Sequence, residues 1–171
     1  EIILERQPKI LVPVRDIRDI LASVEKLWRK SAGTHQAIQE RENYFKWQTI
    51  EGRCEIWTSQ EQPVGLAYNR IKDALTRGHK DKMHFVKYES LTRFPGQTLA
   101  EIYNFLDEEP FNHDFNHVEQ VTWEDDRIHG IPELHVIRPK VELQKPQWPD
   151  ILGSAAEAYK GTELWRTKAT T

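Results

Sequence analysis

A short apolar run that gives way at once to a helical repeat constrains this chain more than any other stretch. Ile10-Leu11-Val12-Pro13-Val14, after Lys9, runs apolar without alternation, the pattern of a strand covered on both faces. Pro13 argues against the middle of a fully hydrogen-bonded strand and places itself near the strand end. From Asp16 onward, Ile17, Ile20, Leu21, Val24, Leu27 and Trp28 recur at helical spacing, with Arg18, Asp19, Glu25 and Lys26 assigned to the outward face. A strand that feeds a helix sets the intervening loop at the carboxyl edge of a parallel sheet, where α/β proteins bind ligands. Unsatisfied amides and the positive end of the helix favour an anion there. Arg15 adds a two-pronged charge-assisted grip and Ser23 a hydroxyl donor, so a phosphate suits the pair. The same residues also read as a surface arginine and a tolerated helical serine, and pattern alone leaves both readings open.

The rest of the chain repeats the alternation. Pro63 opens a helix in a position where proline is tolerated. Val64, Ala67, Ile71, Ala74 and Leu75 form its inner stripe, and Gly78 ends it. Met83-His84-Phe85-Val86-Lys87-Tyr88 reads as a second strand with Glu89 and Ser90 at its end, followed by a helix over 98–106. Strand, helix, strand, helix is the order of a parallel sheet with crossover helices. Residues 31–62 are polar overall but hold Tyr44, Phe45, Trp47, Ile50, Ile56 and Trp57. They read either as a helical excursion that packs its aromatics on the main body or as a lid or partner surface. Residues 110–149 read as irregular chain wrapped over the domain. A last helix over 151–160 precedes Gly161 and an anchor at Leu164 and Trp165, while Ile2, Ile3 and Leu4 form a packed lead-in.

At 171 residues the chain is expected to form a single domain, 1–171. A net charge of -3 gives no reason to expect nucleic acid or an acidic membrane as partner. The lone Cys54 cannot make an internal disulfide, and no apolar run reaches membrane-spanning length, so a cytoplasmic protein is expected. His113, Asp114 and His117 suggest a metal only weakly, because no third ligand follows at an informative spacing; the other reading is hydrogen-bonded surface or boundary histidines. His129 and His135 are candidates for an acceptor site if their segment folds over the cleft. Glu124, Asp125 and Asp126 read as a solvated face, and the six tryptophans as core or boundary anchors.

Three blocks in order carry a family resemblance. Arg15-Asp16-Ile17-Arg18-Asp19-Ile20-Leu21-Ala22-Ser23 after a strand resembles the 3'-phosphate-binding motif of the PAPS-dependent sulfotransferases. Val86-Lys87-Tyr88-Glu89-Ser90-Leu91, then Phe94-Pro95 and a helix ending Tyr103-Asn104-Phe105-Leu106, resembles that family's second strand and its helix. Tyr159-Lys160-Gly161-Thr162-Glu163-Leu164-Trp165 is similar to the tail of bacterial members. The resemblance implies a three-layer α/β fold of the P-loop-kinase type, a parallel sheet flanked by helices and seen here in part. It implies sulfuryl transfer from 3'-phosphoadenosine 5'-phosphosulfate to a hydroxyl or amine on a small-molecule, glycan or peptide acceptor. Arg15 and Ser23 would be the 3'-phosphate ligands, Tyr88 would lie beside the adenine, and Arg138 and Lys140 would complete the phosphate pocket.

Two departures stand out. Arg138-Pro139-Lys140 lacks the glycine of the family's Arg-Lys-Gly form, and no G-x-x-x-x-G-K-[ST] loop occurs anywhere in the chain. The family's 5'-phosphosulfate loop and general base are therefore expected upstream of Glu1, in a longer protein. The alternative is a catalytically silent structural or interaction domain of the same fold.

Overall fold

A computed structural model describes residues 8–31, 43–126 and 135–162, with the backbone alone at Ser31. The expected lead-in at Ile2 to Leu4, His129, and the Leu164 and Trp165 anchor lie outside the described residues. Strand β1, Ile10–Val14, runs parallel to β2, Met83–Lys87, with Ile10 opposite Met83 and Val14 opposite Lys87. One face of the pair, built from Ile10, Val12, Val14, Met83 and Phe85, packs on Ile71, Ala74 and Leu75. Those three belong to the helix Pro63–Thr76, which ends at Gly78 in the left-handed region with φ 81°; only glycine adopts that without cost. Ala67, expected in the inner stripe, stays exposed.

On the other face, His84 stacks at 5.2 Å on Phe105 of the helix Pro95–Leu106. β2 thus has a helix on each side, and Val86 is buried. β1 differs from expectation: Leu11 is 38% exposed and Pro13 is also exposed, so among the described residues only one face of this strand is covered. An apolar run reports the hydrophobicity of a strand, not where its neighbours sit.

We number the helices in chain order: α1 Ile17–Ser31, α2 Tyr44–Trp47, α3 Ile50–Trp57, α4 Pro63–Thr76, α5 Tyr88–Arg93, α6 Pro95–Leu106 and α7 Trp148–Leu152. A 3-10 stretch, Gly153–Tyr159, follows α7, so the expected last helix is split. Ile17, Leu21 and Ala22 of α1 meet Cys54 and Trp57 of α3 and Leu152, Ala155 and Ala156 of the carboxyl-terminal segment in the larger core. The second strand stops at Lys87, and Tyr88 opens α5 instead of ending a strand. α6 starts at Pro95, three residues before the helix read from the sequence, because proline is preorganised for a first turn.

The outward face assigned to α1 is wrong at two positions. Asp19 is 7% exposed and Glu25 is fully buried. Arg53 of α3 donates to both Glu25 oxygens, at 2.8 and 2.7 Å, and Arg29 donates at 2.6 Å. Arg53 also donates to the Trp47 carbonyl at 2.7 Å and lies 4.0 Å over the Trp28 ring. A charge enters the core when another element brings its counter-charge and donors, and periodicity carries no record of that element. This pair fastens the 43–62 segment to α1. Trp47 stacks on Trp28 at 6.2 Å and meets Trp57 edge-on at 6.4 Å. The packed excursion therefore holds for Trp47 and Trp57, while Tyr44 and Phe45 stay on the surface.

Between Asp107 and Gln147, the described residues are largely irregular as expected, apart from an antiparallel pairing. The Val118 N–H donates to the Pro139 carbonyl at 2.8 Å, and the Val141 N–H to the Phe115 carbonyl at 2.9 Å. The Gln120 side chain bridges the same two segments through Ile137 and His135. Among the described residues, no helix is long and apolar enough to cross a membrane.

Candidate anion-binding site

The turn after β1 is closed by Asp16. Its Oδ1 accepts the Arg18 N–H at 2.9 Å, and its carbonyl accepts from Asp19 and Ile20; this is an aspartate N-cap. Arg18 folds back on the same carboxylate at 2.5 Å and lies 4.3 Å over the Trp148 ring. The expected anion seat on open amides is thus corrected. A carboxylate already caps the positive end of α1, and that position does not attract a second anion.

The cavity lies instead along the flank of α1. Arg15, Asp19, Ser23 and Lys26 are spaced four, four and three residues apart, so they share one stripe. They form one wall of a cavity of about 450 Å³, within the roughly 300–1,000 Å³ usual for small-molecule sites. Tyr88 and Thr92 of α5 form a second wall. The third is the returning segment 137–147, held in place by its pairing with 115–118, and it brings Arg138 and Lys140. All five residues singled out in the sequence, Arg15, Ser23, Tyr88, Arg138 and Lys140, therefore line one space.

Arg15 is fixed on two sides. Its guanidinium lies 4.1 Å over the Tyr88 ring and 3.4 Å from Asp19 Oδ2. Its Nε is buried with no hydrogen-bond partner among the described residues, a state that costs about 1–3 kcal/mol until an acceptor arrives. Asp19 Oδ1 accepts the Gln147 backbone N–H at 3.1 Å, and Lys26 Nζ donates to Gln147 Oε1 at 2.8 Å. Four cations, Arg15, Lys26, Arg138 and Lys140, face two carboxylates, Asp19 and Glu142, around the cavity. The local charge is positive although the chain carries -3. Asp19, Lys26 and Gln147 were missed as site residues. The signal for the first two was their spacing from Arg15 and Ser23, masked by reading every charge as outward.

The other candidates lie elsewhere. His113 Nε2 is 2.8 Å from the Tyr103 hydroxyl, with its ring between Phe111 and Phe115. It lines a separate depression with Asp114 and His117. His135 Nδ1 lies 2.6 Å from Asp126 and 3.4 Å from Glu124, and His135 does not line the cation-rich cavity. Asp126 corrects the solvated-face reading, since only 14% of its side chain is exposed. Cys54 is fully buried, and burial together with the Glu25 carboxylate pushes its thiol up to about 11, far from a nucleophile's range. Burial would raise the Glu25 carboxyl, but the Arg53 and Arg29 hydrogen bonds and charges hold it below its ordinary value.

Fold and cavity together define an α/β unit with a cation-rich cavity beside a strand-to-helix turn. The chain belongs to the sulfotransferase family: the model of the sulfotransferase domain matches residues 1–127. No curated protein and no solved structure matches it. The matched span contains Arg15, Ser23 and Tyr88. Arg138 and Lys140 lie beyond it and reach the cavity through the antiparallel pairing.

Proposed function

We propose that this domain holds 3'-phosphoadenosine 5'-phosphosulfate for transfer of its sulfuryl group to a hydroxyl or amine of a small-molecule, glycan or peptide acceptor. One observation carries the reading: residues from three distant stretches surround one cation-rich cavity in which a buried Arg15 donor has no acceptor. In this reading Arg15 and Ser23 hold the 3'-phosphate. A planar guanidinium braced by an aromatic ring and a carboxylate is preorganised for two-pronged recognition, which a lysine would not supply. Tyr88 keeps that guanidinium in place and borders the adenine. Arg138 and Lys140 close the phosphate pocket from the returning segment. The described strands and helices then form part of a three-layer, P-loop-kinase-like fold, a parallel sheet flanked by helices. The bound cofactor supplies an activated sulfuryl group, and this chain's residues contribute anchoring, so that binding energy far from the sulfur orients it for in-line attack.

The test is calorimetric titration of the full-length protein with 3'-phosphoadenosine 5'-phosphate. Arg15→Ala should weaken binding on the order of a hundredfold, the scale of a lost charge-assisted double contact. Arg15→Lys, which keeps a charge beside Asp19, controls for folding and should recover only part of the affinity. No binding by the unsubstituted protein overturns the reading. Binding without transfer of labelled sulfuryl to any acceptor assigns the domain to the silent alternative.

A further inference from the structure

Lys26 stands out among the residues of the cavity. It lies three positions beyond Ser23 on the same stripe of α1, so the two side chains are neighbours, with Cβ atoms about 5–6 Å apart. Its ammonium group has one hydrogen-bond partner among the described residues, the neutral side-chain oxygen of Gln147 at 2.8 Å. Lys26 faces a cavity lined also by Arg15, Arg138 and Lys140, which outnumber the carboxylates Asp19 and Glu142 there, and Asp19 is paired with Arg15. Like charges around one space repel, and a phosphate monoester entering it relieves that repulsion.

Gln147 is held independently of Lys26, because its backbone N–H donates to the buried Asp19 carboxylate at 3.1 Å. Lys26 can leave the Gln147 amide without freeing the segment that carries Arg138 and Lys140.

Resting on the cofactor reading above, we infer that Lys26 is a third ligand of the nucleotide's 3'-phosphate and that Gln147 is its partner only while the cavity is empty. On binding, the ammonium exchanges a neutral amide oxygen for a charged phosphate oxygen. Asp19 stays in place, bracing Arg15 on one side and Gln147 on the other.

The experiment compares two nucleotides in the full-length protein. One is 3'-phosphoadenosine 5'-phosphate; the other, adenosine 5'-phosphate, lacks the 3'-phosphate. Lys26→Met keeps the aliphatic stem and removes the charge. It should weaken the first nucleotide about tenfold, the scale of one charge-assisted hydrogen bond, and leave the second unchanged. Gln147→Met removes the competing acceptor and should tighten the first nucleotide about threefold, because the ammonium's hydrogen bond to the amide oxygen no longer has to be broken. Equal losses for both nucleotides in Lys26→Met would mark a general structural defect and overturn the assignment, as would no loss for either. Unchanged or weaker binding in Gln147→Met overturns the exchange. These failures are separable from failure of the cofactor reading, which falls only if the unsubstituted protein does not bind 3'-phosphoadenosine 5'-phosphate.

Discussion

Replacing Arg53 with methionine tests the least expected feature of the fold, a fully buried carboxylate on a helix face that reads as outward. Methionine keeps most of the aliphatic stem but removes two hydrogen bonds to Glu25, one to the Trp47 carbonyl and the cation over Trp28. Glu25 is then left buried with Arg29 alone, whose side chain is 47% exposed. Breaking a buried pair from one side costs about 3–5 kcal/mol, and the lost hydrogen bond to the Trp47 carbonyl adds about 1 kcal/mol. Arg29 keeps the total near the lower end, so the expected loss is about 3–4 kcal/mol. With a urea slope of roughly 2 kcal/mol/M, the unfolding midpoint should fall by about 2 M. The assay is urea unfolding at neutral pH followed by circular dichroism. The double variant Glu25→Leu with Arg53→Met removes both charges and should recover at least about half of the loss. The reasoning is refuted if Arg53→Met costs less than about 1 kcal/mol, or if the double variant is no better than the single. The pH dependence carries a sign as well. The folded-state carboxyl lies below its ordinary 4.5, so its contribution is fully present above that value and is lost as pH falls through the lower folded value. The stability gap between the unsubstituted protein and Glu25→Gln should therefore be flat above about pH 5 and narrow below it.

Gly65→Ala should destabilise strongly, because an added Cβ would lie 2.1 Å from the Ser59 carbonyl oxygen and 2.3 Å from that of Thr58. Overpacking against backbone costs about 1–3 kcal/mol or more. Scanning calorimetry should show a lower Tm for this variant and an unchanged one for Gly96→Ala, whose nearest neighbour would be 3.8 Å away. Cys54, buried and with its thiol near 11, should resist a disulfide reagent in the native protein and react fully in guanidinium chloride. Rapid labelling under native conditions would contradict its place in the core.

How much was legible depended on whether the signal was local. The β1-to-α1 succession, the start of α4 at Pro63 and its stop at Gly78 were written in neighbouring residues, since caps, turns and periodicity act within a turn of chain. Tyr88 was found as a residue of interest but given the wrong backbone state, because strand and first helical turn share one apolar run. Lys9 was read only as the start of an apolar stretch, yet it pairs with Asp107 at the far end of α6. Asp19 and Glu25 were misplaced for one reason: a helical repeat sorts charged residues outward unless a partner from elsewhere is known.

The sequence by itself determined the strand-to-helix turn, the candidate residues Arg15, Ser23 and Tyr88, and the family they point to. The turn and the Arg15–Ser23 pair rest on residues within about two helical turns of one another, where covalent spacing dictates who shares a face, while Tyr88 and the family rest on three short blocks in order along the chain. The resemblance named Arg138 and Lys140, but the tertiary structure decided how they reach the same cavity, more than a hundred residues along the chain, and it alone decided that Gln147 is held by Asp19 and Lys26. It also decided which charges are buried. A buried charge is stable only beside its counter-charge, and that meeting is a property of packed elements, not of any one stretch of chain.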